Sequence, residues 1–216
     1  MELSLKKRYK FHWTQKIYIQ STVIALLLFT FSVWVNFWAN NYAQQSGQNA
    51  VTDIVLNNVP VLNVNFAMTY LVAMVIIFVA ALLLLQPRRM PFTLKSLALF
   101  TFIRSIFISV THIAQFTPRA PIDAGPILNF IGSGNTGGLF FSGHTGVPFL
   151  LALVFWDSVV LRCIFIGLSI FYAATVLLGH LHYTIDVLGA YFVTYTIYHI
   201  AVRWFKKDYQ FSIKRV

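Results

Sequence analysis

Two short stretches of this chain carry residues able to do chemistry on a phosphate ester. Ser142–Gly143–His144 opens one apolar run, and His182 with Asp186, four residues apart, opens another. That spacing predicts that the histidine and the aspartate share one helix face, so the carboxylate can hold one imidazole nitrogen. Holding that nitrogen fixes the tautomer and raises the basicity of the other, which makes His182 a nucleophile at neutral pH. His144 is then the acid that protonates a departing oxygen. Ser142 and Gly143 add a hydroxyl and an unshielded backbone. Both stretches lie at helix N-termini, where unpaired N–H groups and the positive end of the dipole attract an anion. The same two histidines and aspartate are also part of a metal-ligand set. Phosphate donors surround them, however, and the sequence offers no obvious fourth ligand.

Few other ionisable groups lie at membrane depth, where such groups are costly and usually functional. Arg104 is the one cation in the interior of a predicted span, away from its ends, and two roles are open to it: binding a substrate phosphate, or serving as a hydrogen-bond hub. His180 has two roles open, assisting at the site or making a hydrogen bond at a loop end, with the second expected; His12, His112 and His199 are expected to cap or bond their neighbours.

These groups must be positioned by membrane helices. The chain is 58% hydrophobic and only 10% charged, against roughly a quarter charged for soluble domains. Apolar runs predict six helices at about 17–39, 65–86, 96–115, 142–156, 159–179 and 183–204, five of them near the roughly 20 residues a bilayer requires. The stretch 87–95 reads as a short basic loop, and 116–141 as the longest loop of the core. Six crossings place both termini on one side with that basic loop. The same side collects fourteen of the sixteen basic residues, all but Arg104 and Arg119. The positive-inside rule makes it cytoplasmic. The expected fold is an all-α integral membrane protein, a six-transmembrane-helix bundle with both termini inside and the site at the non-cytoplasmic face. Residues 1–216 form a single membrane domain.

Other classes fit less well. A net charge of +10 gathered at helix ends serves topology and lipid headgroups, not nucleic acid. The single cysteine, Cys163, allows no intrachain disulfide. Haem ligation wants facing histidines well inside a bundle, and a transporter wants polar residues along several helices. Here the histidines stand at helix ends, and the second and fifth helices are almost wholly apolar.

Ser142–Gly143–His144–Thr145 followed by His182–Tyr183–Thr184–Ile185–Asp186–Val187, with Ala190–Tyr191 beyond, resembles the paired motifs of the type 2 phosphatidic acid phosphatase superfamily. The wording is closest to its sphingomyelin synthase-like branch, and Arg104 through Thr111 is similar to that branch's Arg-x6-Thr element. The similarity covers about residues 96–192, the expected catalytic core. It implies His182 as a nucleophile oriented by Asp186, His144 as acid and base, a phosphohistidine intermediate, and neither metal nor other cofactor. The implied partners are a phospholipid donor and a lipid-alcohol acceptor; with water as acceptor the same site would be a lipid phosphate phosphatase. Departures from the family patterns leave headgroup and acceptor open. Val176 stands where the phosphatases carry arginine, and Thr136–Gly137–Gly138 aligns with the synthases' Cys-Gly-Asp.

Overall fold

The computed structural model describes residues 5–46, 49–123 and 138–213. These residues form helices and loops with no strand, apart from one isolated bridge between Asn49 and Ile113. A short helix α1 (Leu5–Trp13) precedes α2 (Lys16–Gln45). A π-helical turn (Ala67–Leu71) leads into α3 (Val72–Leu85), and a 3-10 turn (Pro87–Arg89) into α4 (Met90–Val110). Then come α5 (Gly143–Val154), α6 (Val159–Leu178), α7 (Thr184–Trp204) and a terminal α8 (Lys206–Ile213). Among the described residues, five segments are long and apolar enough to cross a membrane: Lys16–Gln45, Ala67–Leu85, Pro87–Val110, Val159–Leu178 and Thr184–Trp204. Their surfaces are inverted relative to a soluble protein. Leu27, Ile77 and Phe192 face outward, while Ser32, Asn36, Ser96, Ser105 and Ser169 are buried. This suits a lipid surround.

The fourth expected crossing is the short one. At 12 residues, α5 is about 18 Å long, less than the roughly 30 Å of a hydrocarbon core. Its end is set by Arg89, whose guanidinium donates to the Val154 carbonyl at 3.1 Å and grips both Asp157 oxygens at 2.7 and 2.6 Å. A cation there satisfies an orphan C-terminal carbonyl and the negative end of the dipole. At the other end, Gly146 lets α5 press against its neighbours, because a Cβ there would lie 2.7 Å from the Phe100 ring and 2.8 Å from Thr194 Oγ1.

Two expectations need correction at the end where the termini gather. The stretch 87–95 is not a loop: a 3-10 turn runs straight into α4, because Pro91 sits in the first turn, where its missing N–H costs nothing. Nor do all its cations face headgroups. Arg89 is buried on Asp157, and Lys95 is buried with its ammonium 2.6 Å from Asp208 of α8 and 2.7 Å from Ser21 of α2. With Tyr9 on the Leu84 carbonyl and Tyr18 on that of Pro87, these contacts tie α1 to α3, and α2, α4 and α8 to one another, at one end.

At the opposite end, two loops are pinned onto residues 178–184. Leu62 N–H reaches the Leu178 carbonyl at 2.8 Å, Ala120 N–H that of Gly179 at 3.0 Å, and the Tyr183 hydroxyl that of Ala114 at 2.8 Å. His180 binds both loops. Its Nδ1 is 2.9 Å from the Pro118 carbonyl and its Nε2 is 3.0 Å from that of Val59, which is the loop-end role the sequence suggested. Its φ of 52° is a left-handed conformation that a non-glycine residue keeps only when its surroundings enforce it.

Candidate active site

Ser142 caps α5. Its Oγ accepts from Thr145 N at 3.4 Å and from the Thr145 hydroxyl at 3.2 Å, which leaves its own proton to donate elsewhere. Its backbone N–H is spent on the Asp186 carbonyl at 3.1 Å, and this bond sets the starts of α5 and α7 side by side. Gly143 follows beside the Arg104 guanidinium, and a Cβ there would only just touch it, 3.4 Å from Nε.

His182 does not share a helix face with Asp186. The helix begins at Thr184, so His182 lies two residues outside it. Asp186, in the first turn, reaches back instead: its Oδ2 accepts from Tyr183 N at 2.9 Å and lies 3.4 Å from His182 Nδ1. The pairing is thus made by capping geometry rather than by helical stacking. One oxygen serves two donors, which explains the length of the imidazole contact, and Asp186 is fully buried. The His144 ring stands on the other side, with centroids 6.2 Å apart and planes at 63°. An attacking nitrogen about 3 Å from phosphorus and an acid within about 3 Å of the leaving oxygen need a separation of this order.

The N-terminus of α7 is not open to phosphate as the sequence suggested. Asp186 takes Tyr183 N–H, and Asp53, from the loop after α2, takes Thr184 N–H at 2.6 Å and the Thr184 hydroxyl at 2.8 Å. Asp53 also accepts from Val55 N and Leu56 N. Burial alone would raise the Asp53 carboxyl, but these hydrogen bonds outweigh it and hold the group below its ordinary value. Sequence reading gave Asp53 no role. The signal was its scarcity, since only six acidic residues occur in the chain.

Arg104 is buried and spends three donors on the fold: Nε on the Phe141 carbonyl at 2.9 Å, one terminal nitrogen on Asn36 Oδ1 at 3.1 Å and the other on the Gly138 carbonyl at 2.9 Å. These are the bonds of a hub holding the approach to Ser142. A guanidinium has five N–H donors, so two remain. Phosphate-binding character at this end therefore rests on the start of α5 and on those two donors. Three buried polar atoms around the histidines have no hydrogen-bond partner: His144 Nε2, Asp186 Oδ1 and the Tyr172 hydroxyl. Among the described residues no three His, Cys, Asp or Glu side chains gather as metal ligands. His12 lies among the rings of Phe11, Tyr18 and Phe211, His112 contacts the Ser109 carbonyl, and His199 packs against Tyr195 and Tyr198.

Removing the charge of Asp53 tests its hold on α7. Asp53→Asn keeps the shape but turns one acceptor into a donor and loses the anion at a helix start. A loss of about 1–3 kcal/mol is expected. Because the folded pKa is depressed, this stabilisation is present above the ordinary value of 3.8 and disappears as pH falls through the lower folded value. Melting curves in detergent should therefore show a constant gap between wild type and variant near neutrality that closes in acid. A gap independent of pH would remove the charge from the account.

Residues 136–203 match the family described as PAP2 superfamily C-terminal. Ser142, Gly143, His144, His182 and Asp186 fall inside that stretch, and Arg104 and Asp53 outside it. The match covers about a third of the chain and supports a likeness to the type 2 phosphatidic acid phosphatase superfamily over the stretch that carries both motifs. No curated protein and no solved structure matched the chain.

Proposed function

We propose that this chain is a membrane lipid phosphotransferase that moves a phospho-headgroup from a phospholipid to a lipid alcohol, as in the sphingomyelin synthase-like branch, with residues 96–192 as its catalytic core. His182 Nε2 attacks the donor's phosphorus. The bond from phosphorus to the lipid alkoxide breaks as His144 gives that oxygen a proton, and a phosphohistidine forms. A second lipid alcohol, deprotonated by His144, then attacks phosphorus and frees His182. Asp186 stabilises the imidazolium character that develops on His182. Ser142, Gly143 and the spare donors of Arg104 stabilise charge on the phosphoryl oxygens, so the reading calls on no metal. The observation that carries it is the His182–Asp186 contact facing the unpartnered His144 Nε2 across 6.2 Å between ring centroids. Purified protein given a phospholipid labelled in its headgroup, with and without ceramide or diacylglycerol, tests it. A labelled phosphosphingolipid or new phospholipid is the expected product. Release of label into water alone would make the enzyme a lipid phosphate phosphatase using the same three residues.

The site faces the non-cytoplasmic side in this reading, with both termini in the cytoplasm and α5 as the short fourth of six crossings. The concentration of basic residues at the terminal end supports it. With Cys163 replaced, Pro121→Cys should react with an impermeant thiol reagent on intact cells and Lys207→Cys should not; the reverse would turn the protein over.

A further inference from the structure

One buried group beside the histidines has no task in that scheme. Tyr172 of α6 is 2% exposed, its ring centroid lies 6.2 Å from that of His144, and its hydroxyl has no hydrogen-bond partner. Buried polar groups are nearly always partnered, and leaving one unpaired costs stability. Phenylalanine would fill the same space without that cost. The other buried hydroxyls of α6 are accounted for: Ser169 donates to the Thr145 carbonyl at 2.8 Å and Thr175 to that of Phe171 at 2.7 Å. Val176, one turn beyond Tyr172, is wholly buried among apolar side chains. The phenol is therefore the one buried polar group of this helix left unspent. Its ring neighbours that of His144, whose Nε2 is also unpartnered and whose ring lies 6.2 Å from that of His182. Resting on the phosphotransfer reading, we infer that the Tyr172 hydroxyl donates a hydrogen bond to a phosphoryl oxygen of the substrate, from the α6 side of the site. As a neutral donor it complements charged oxygens without adding a cation next to His144, where a cation would compete with protonation of that ring.

Tyr172→Phe removes this donor and keeps the ring. Turnover is expected to fall about ten- to a hundredfold, the worth of a hydrogen bond to a charged group, and vanadate inhibition should weaken by a similar factor. The melting temperature should hold or rise. The defect should be equal for esters with alkoxide and phenol-type leaving groups, because the contact is to the transferred phosphoryl group. Wild type and His182→Ala run alongside. If those two show equal activity, the phosphotransfer reading fails. If they differ as expected and Tyr172→Phe keeps full rate, only this inference fails. A lowered melting temperature would make the hydroxyl a structural donor, and a defect confined to alkoxide esters would mean that it acts through His144; either result overturns contact with the phosphoryl group.

Discussion

His182→Ala is expected to lose about 10⁴-fold or more in turnover and all covalent labelling by a phosphate-labelled donor. Among the described residues, the imidazole is the one group that stands next to a buried carboxylate and faces the His144 ring, so its removal leaves no described neighbour to take over the attack. Asp186→Asn is expected to fall nearly as far, by about 10³–10⁴, for a different reason. The amide oxygen can still accept from Tyr183 N–H and sit near His182 Nδ1, so the start of α7 keeps its shape. What disappears is the negative charge that the imidazolium meets as phosphorus–nitrogen bonding develops. The two variants therefore separate in kind. Rapid-quench labelling should find no phosphoenzyme in His182→Ala and a slowly formed one in Asp186→Asn, with label that is acid-labile and stable in alkali, as for a phosphoramidate. Wild-type labelling retained in His182→Ala would move the nucleophile to another residue.

The part of this site that was legible in the sequence is the part written in helix starts. Ser142 is a capping residue ahead of an apolar run, and the run from Thr184 follows a comparable signal, so the starts of α5 and α7 fall within a residue or two of where the pattern places them. Side chains joined across long chain separations were not legible. Arg89 and Asp157 are 68 residues apart and Lys95 and Asp208 are 113 apart. A cation at a helix end reads as a topology signal until its distant anion is known. Asp53 meets Thr184 over 131 residues, through a loop whose path no periodicity reports. Tyr172 was hidden differently, as one of 10 tyrosines and 21 phenylalanines in a helix whose apolar face needs aromatic bulk anyway. Only the missing partner of its hydroxyl distinguishes it, and that is a property of the packed molecule. The helix-face argument for His182 and Asp186 reached the right pair through the wrong geometry, because a four-residue spacing serves a helix turn and a capping loop alike.

His144→Ala should show a loss that depends on the leaving group. A lipid alkoxide is a poor leaving group and needs a proton as the phosphorus–oxygen bond breaks, so phospholipid turnover should fall about 10²–10⁴-fold. A phenol-type ester departs as a stable anion and should lose far less, because His182 and Asp186 still carry the attack. The unpartnered Nε2 of His144, in a ring 6.2 Å from that of His182, leaves that nitrogen free to hand over a proton. The second half-reaction adds a further signature. Without His144 to deprotonate the acceptor alcohol, a phosphoenzyme formed from the phenol-type ester should accumulate, seen as a burst of phenol equal to the enzyme present followed by a slow steady state. Equal losses on both kinds of ester, with no burst, would leave His144 a positioning role and assign the leaving-group proton to another donor at the start of α5.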